Sequence, residues 1–251
     1  MNSNVNWPIN PHDTAEISDA VFGVSDLATQ PHSTLLAPTE VVSLLKPGRD
    51  LYKLTDSFEC TQYYKVISNQ HDGQINSSPN EVHYQKHLWR MHRLLSSARG
   101  LVLDVGCGDP LVGSSLLNSE VTYVGIDPFA SVGNPYCLRG VAEDLPFNDA
   151  SFDAIVFNTS LDHILDFVTA LNEARRVLRS GSLFLSTLVW TDQYSLIHDH
   201  VHFHHFRQFE ISGALDHCGF RVVSCSWYRY KDDKHRVGLY LHATSTGGPS
   251  T

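Results

Sequence analysis

No apolar run in the 251 residues approaches the roughly 18 that would cross a bilayer as a helix. The opening MNSNVNWPINPHDTAEISD has neither the basic start nor the apolar stretch of a secretory leader, so a soluble, cytoplasmic chain is expected. Cysteine is sparse: Cys60, Cys107, Cys137, Cys218 and Cys225 form no CxxC pair, and an odd number leaves at least one thiol unpaired, which suits a reducing compartment. Positive charge is also scarce. With 18 Lys+Arg against 27 Asp+Glu the formal charge is -9, which repels phosphate-rich partners unless a local basic patch intervenes. No basic aromatic tract or appended recognition module is evident either, so nucleic acid is set aside as a partner. Hydrophobic residues make up 42%, enough for one full core and a small appendage. Histidine is over-represented at fifteen copies, several of them crowded between His198 and His205.

Composition shifts divide the chain. Residues 1–45, rich in Asn, Ser, Thr, Pro and His without a sustained period, read as an irregular arm. Residues 46–97 read as a cap. They carry the aromatics Tyr52, Phe58, Tyr63 and Tyr64, a turn-rich loop over 71–80, and a helix capped by Asn80 with Tyr84, Leu88, Met91 and Leu95 on one face. From 98 to 245 short apolar runs alternate with helical stretches, as a parallel sheet covered on both faces requires. The predicted strands are 101–105, 121–126, 136–140, 152–158 and 182–189. A helix with Ile164, Phe167, Val168, Leu171, Ala174 and Leu178 on its apolar face is expected to stop at Ser180-Gly181. A further helix bears Ile211, Ala214, Leu215 and Cys218. A hairpin over 221–245 turns at KDDK, and 246–251 is a tail.

The chemical signal is LVLDVGCGDP over 101–110, a buried strand running into a glycine turn that opens a helix. Gly106 and Gly108 permit the backbone conformations and close approach that a ligand lying over strand ends needs. Asp109 is a good N-cap and Pro110 suits the first helical position. The next strand ends in VTYVGIDP, where the Asp127 carboxylate can accept both hydroxyls of a ribose. Two more segments follow in order, RGVAEDLPFNDASFDAIVF (139–157) and EARRVLRSGSLFLST (173–187).

Together these four segments resemble the class I S-adenosylmethionine-dependent methyltransferases of the ubiquinone-biosynthesis-like, methyltransferase type 11 group, over about residues 98–190. The resemblance implies an α/β fold: a doubly wound, mostly parallel seven-stranded Rossmann-like sheet with a C-terminal antiparallel hairpin and an N-terminal helical lid. It also implies S-adenosylmethionine as cofactor, S-adenosylhomocysteine as product, and a small-molecule acceptor methylated on oxygen, nitrogen or carbon. Carried over by motif, Asp104, Gly106, Cys107 and Gly108 hold the methionine part and backbone, Asp127 the ribose, and Ala142 with Glu143 the adenine, with Pro128 a further cofactor-binding residue. Asn158 and Thr159 lie beside the methionine end. The family's third glycine is Pro110 here, and an acidic residue common in the family is Val141.

Methyl transfer from a sulfonium mainly demands alignment, and a base is needed only where the acceptor must lose a proton. Asp162 and His163 in NTSLDHILD are the catalytic candidates; alternatively, Asp162 caps the next helix and His163 packs beneath a lid. In HDHVHFHHF, an extended segment would place His198, His200, His202 and His204 on one face, where a divalent ion could bind. The family's HxHxF segment matches His202 to Phe206, so a structural or substrate-lining role is expected there and no metal is assigned. Two other functions compete. An NAD-dependent Rossmann oxidoreductase would need G-x-G-x-x-G, but positions 106, 108 and 111 read Gly, Gly, Leu; a non-catalytic scaffold would bind no adenosyl ligand.

Overall fold

Parallel strands need crossovers that cover both sheet faces, so their sequences become apolar nearly throughout. The computed structural model describes residues 33–36, 38–47, 82–130, 136–191, 202–229 and 235–246, and in it those apolar runs are strands. They are β1 (Thr34–Leu35), β2 (Gly100–Val105), β3 (Val121–Asp127), β4 (Cys137–Arg139), β5 (Phe152–Asn158), β6 (Leu178–Trp190), β7 (Phe220–Arg229) and β8 (Arg236–Ser245). The order is β1-β3-β2-β5-β6-β8-β7, with β4 also beside β3. β1 and β4 lie end to end on one edge of β3, against Thr122–Tyr123 and Gly125–Asp127 respectively. Pairing is parallel through β6, and β8 runs antiparallel between β6 and β7.

This is the doubly wound sheet with a C-terminal hairpin that the sequence predicts. Strand order reverses between β2 and β5, which opens the ligand crevice of such folds at their carboxyl ends. The seven expected strands are β2 to β8. β1 is an addition from the arm expected to be irregular, too short to leave a period in the sequence. Nearby, Leu45 bridges Phe147, and the Lys46 amide donates to the Pro146 carbonyl at 2.8 Å. The remainder of the arm, the aromatics between 52 and 64, the 71–80 loop, Asn80, His198, His200, the KDDK turn and the tail from 247 lie outside the described residues.

The helices among the described residues are α1 (Pro38–Val41), α2 (Val82–Leu94), α3 (Pro110–Ser115), α4 (Phe167–Val177) and α5 (Gln208–His217). On one sheet face, Leu88, Met91 and Leu95 of the α2 segment join Leu116 and Leu117 against Val102, Ala154, Val156 and Tyr240. The helix expected as a lid therefore covers a sheet face, which is where its apolar stripe is buried. On the other face, α4 and α5 bury Leu171, Ala174, Ile211 and Leu215 against Leu103, Ile155, Phe157 and Leu241.

One expected boundary is corrected. α4 begins only at Phe167, after the Asp166 side chain accepts from the Thr169 amide at 3.0 Å, and it ends at Val177. The chain enters β6 at once, so Ser180-Gly181 lies within a strand and does not stop the helix. A Cβ on Gly181 would stand 2.0 Å from the Asp153 carbonyl oxygen, beside the register shift between Phe152 and Ala154. The glycine thus serves a close strand approach at a bulge. Among the described residues no helix is long and apolar enough to cross a membrane.

Candidate cofactor and acceptor site

The turn after β2 takes its shape from two glycines with φ of +72° (Gly106) and +57° (Gly108), a region other L-residues rarely adopt. Their surroundings differ. A Cβ on Gly106 would meet Ser160 Cβ at 2.6 Å, whereas one on Gly108 would meet nothing within 4 Å. Gly106 therefore lets the ends of β2 and β5 close on each other, a contact sealed by the Ser160 hydroxyl donating to the Val105 carbonyl at 2.6 Å. Gly108 faces open space. Asp109 caps α3 by accepting from the Leu111 amide at 3.0 Å, with Pro110 at the start of the helix as expected. The Cys107 side chain turns away, its sulfur 3.2 Å from that of Cys137, so this residue offers the crevice its backbone. Contact with Cys137 and burial hold the Cys107 thiol well above its ordinary pKa.

Two carboxylates brace the turn. Asp127 accepts from the Gly108 amide at 3.0 Å and from the Phe129 amide at 2.8 Å, joining the glycine turn to the tip of β3. Burial raises its pKa, while those two bonds oppose the rise. Asp104 accepts from the Tyr123 hydroxyl at 3.0 Å through one oxygen, and its other oxygen is buried with no hydrogen-bond partner. Burial pushes Asp104 up to about 7. A buried carboxylate oxygen left this way is costly unless a donor arrives.

At the tip of β5, Asn158 Oδ1 accepts from His87 Nε2 at 2.9 Å and from the Ser186 hydroxyl at 3.2 Å. His87 Nδ1 then accepts from the Tyr240 hydroxyl at 2.9 Å. Thr159 follows at φ +53°, a strained conformation for a β-branched residue, held by its amide donating to the Ser186 carbonyl at 3.0 Å. Ala142 is buried in a short 3-10 helix over Ala142–Asp144. Glu143 turns its carboxylate to the Leu165 and Asp166 amides at 3.1 and 3.3 Å, so it ties two loops together. The Pro128 carbonyl accepts from Arg139 Nε at 3.3 Å.

Asp162 and His163 form a second 3-10 helix, Leu161–His163, just beyond Thr159. Asp162 is 2% exposed, and its carbonyl accepts from the Phe203 and His204 amides at 2.9 and 3.1 Å. These two bonds bring His202 to the pair: its Nε2 lies 3.8 Å from Asp162 Oδ2 and its ring centroid 4.9 Å from that of His163. Of the alternating histidines, His202 and His204 are described, and both contact the 162–167 segment at different points. His202 goes to Asp162, whereas the His204 ring meets the Ile164 carbonyl at 2.7 Å and packs edge-on to Phe167. His205 stacks on Trp190 at 4.1 Å.

Residues 103–186 match the family model described as a methyltransferase domain. Over that stretch the chain is similar to methyltransferase domains. Demethylmenaquinone methyltransferase from Staphylococcus epidermidis is 29% identical to it over 138 residues, covering 48% of this chain and 56% of that protein. Fatty-acid O-methyltransferase from Mycolicibacterium smegmatis is 39% identical over 100 residues, covering 34% of this chain and 36% of that one. The chain thus spans about half the length, or less, of these relatives. The fold is shared with 1,6-didemethyltoxoflavin-N1-methyltransferase of Burkholderia thailandensis, whose structure holds 1,6-didemethyltoxoflavin and S-adenosylhomocysteine. The TM-score is 0.56 at 17% identity, over 81% of this chain and 95% of that one.

Around the site, sequence reasoning missed three features. His87 sits on the expected packing face of α2, where a polar residue is buried at 9% exposure, and that break in the stripe was its one signal. His202 stands out in the sequence only as one of an alternating set. Glu173 and Arg176 of the EARRV segment carry only the family resemblance in the sequence; in the structure they clamp the loop after β4. Arg176 donates to Glu173 at 2.6 and 2.7 Å, to the Leu145 and Phe147 carbonyls and to Asp149, while Glu173 accepts from the Leu145 amide.

Proposed function

We propose that this chain transfers the methyl group of S-adenosylmethionine to an oxygen, nitrogen or carbon of a small molecule, a metabolite or glycan, in the cytoplasm, leaving S-adenosylhomocysteine. The reading rests on one juxtaposition: the glycine turn and the Asp127 carboxylate meet at 3.0 Å at the switch point of a methyltransferase-type sheet. The residues present fit the cofactor. Gly108 leaves room where a ligand would approach the backbone, and the unpartnered oxygen of Asp104 awaits a donor such as an ammonium group.

Bound there, S-adenosylmethionine supplies an electrophilic methyl on a sulfonium. The protein's part is to hold and orient. Gly106, Cys107 and Gly108 offer backbone to the methionine portion, and the amides on Asp127 fix its carboxylate with lone pairs left for ribose hydroxyls. Because the Glu143 carboxylate is engaged elsewhere, backbone around Ala142 and Glu143 is assigned to the adenine. Asn158 and Thr159 border the methionine end. Asp162 and His163 are assigned the acceptor side, where they ease loss of the acceptor's proton. The acceptors named for the two curated relatives differ from each other, so they suggest a small organic molecule and nothing finer.

Calorimetric titration of the full chain tests the reading. S-adenosylhomocysteine should bind at one site and NAD should not. Asp127→Ala should weaken that binding about 10- to 100-fold, the range for a hydrogen bond to a charged group, while the chain stays folded. Binding of NAD alone would favour the oxidoreductase, and binding of neither would favour a scaffold.

A further inference from the structure

We propose that Asp162, His163 and His202 form a binding site for one divalent transition-metal ion of the zinc class at the acceptor side of the crevice. One donor atom from each residue lies within 4.8 Å of the other two. Two imidazoles and a carboxylate are a donor set that such ions accept, with a position left open for a further ligand.

The spacing speaks against a simple hydrogen-bonded dyad. Asp162 Oδ2 and His202 Nε2 are 3.8 Å apart, beyond hydrogen-bond length but close to the separation of about 3.4 Å between two ligands of one tetrahedral zinc ion. Asp162 Oδ1 is buried with no hydrogen-bond partner in a residue that is 2% exposed. A carboxylate oxygen so enclosed is costly without a donor or a cation beside it. The donors are also held in place before any ion arrives. The Phe203 and His204 amides bind the Asp162 carbonyl, the His163 amide donates to the Ser160 carbonyl at 3.0 Å, and the Trp190 amide donates to the Phe206 carbonyl at 2.8 Å.

The open position would take an acceptor oxygen. A hydroxyl bound to the ion would release its proton to solvent, and its lone pair would form the new bond to carbon while the carbon–sulfur pair remains on sulfur. This catalytic placement rests on the methyl-transfer reading; binding of the ion does not.

The test uses the full chain, stripped with chelator, titrated with Zn²⁺ alone and then loaded with Co²⁺ for its visible spectrum. One equivalent of Zn²⁺ should bind, Co²⁺ should give bands of a nitrogen- and oxygen-ligated ion, and the melting temperature should rise with the ion. In His202→Ala, whose side chain is partly exposed, and in His163→Ala, affinity should fall at least about 100-fold, with S-adenosylhomocysteine binding retained. No binding by the wild type, or wild-type affinity in both variants, would overturn the proposal. Loss of S-adenosylhomocysteine binding in the wild type would instead overturn the methyl-transfer reading and leave the metal site standing.

Discussion

His87 donates through Nε2 to Asn158 Oδ1 across 2.9 Å, joining the helix on one sheet face to the tip of β5. Burial pushes its pKa down to about 4 from 6.5, so near pH 7 the ring is neutral and its Nδ1 accepts from the Tyr240 hydroxyl. The unfolded chain takes up a proton below pH 6.5 and the native chain only near 4. This contribution to stability is therefore complete above pH 6.5 and is lost as pH falls toward 4, by about 3 kcal/mol. Urea unfolding across that window should show the slope in wild type and a shallower one in His87→Gln; parallel curves would remove the assignment.

Asp104 acts in the opposite sense. Its native pKa of about 7, raised from 3.8 by burial, means the folded chain keeps a proton that the unfolded chain loses. Its contribution is complete below pH 3.8 and is lost as pH rises through about 7. Asp104→Asn should gain stability relative to wild type steadily over this range, and a difference independent of pH would refute the shift. The same substitution should lower affinity for S-adenosylhomocysteine, a trade of binding for stability common at ligand sites.

The two glycines of the turn should fail in different ways. Gly106→Ala adds a Cβ 2.6 Å from Ser160 Cβ at φ +72°, and should destabilise the fold by about 2–4 kcal/mol. Gly108→Ala meets no protein atom, so it should cost only about 1–2 kcal/mol of backbone strain yet weaken S-adenosylhomocysteine binding about 10-fold or more. Thermal melts and calorimetry on both variants separate the effects, and equal behaviour would contradict the geometry.

Arg176→Lys should destabilise by about 2–3 kcal/mol, since a point charge cannot replace the paired bonds to Glu173 together with those to two carbonyls. An unchanged melting temperature would show that the clamp is dispensable.

Much of this was legible in the residues. The runs 101–105, 121–126 and 152–158 declared buried parallel strands because both of their faces are covered, and Asp109-Pro110 announced a helix start through local chemistry alone. Ser180-Gly181 misled because a glycine needed by a neighbouring strand's carbonyl looks the same in sequence as one that ends a helix. β1 was invisible, since two residues carry no period. The gathering of His202 with Asp162 depends on main-chain bonds between segments far apart in sequence, and no local pattern encodes those.

Thr159 stands at φ +53° because β6 grips its amide and Ser160 is locked to Val105. That unfavourable torsion is met when the sheet assembles, so a visiting molecule finds the crest of β5 already set in its working form. Whatever selectivity this corner confers is therefore that of a rigid template, and adaptation to differently shaped guests has to come from elsewhere in the chain.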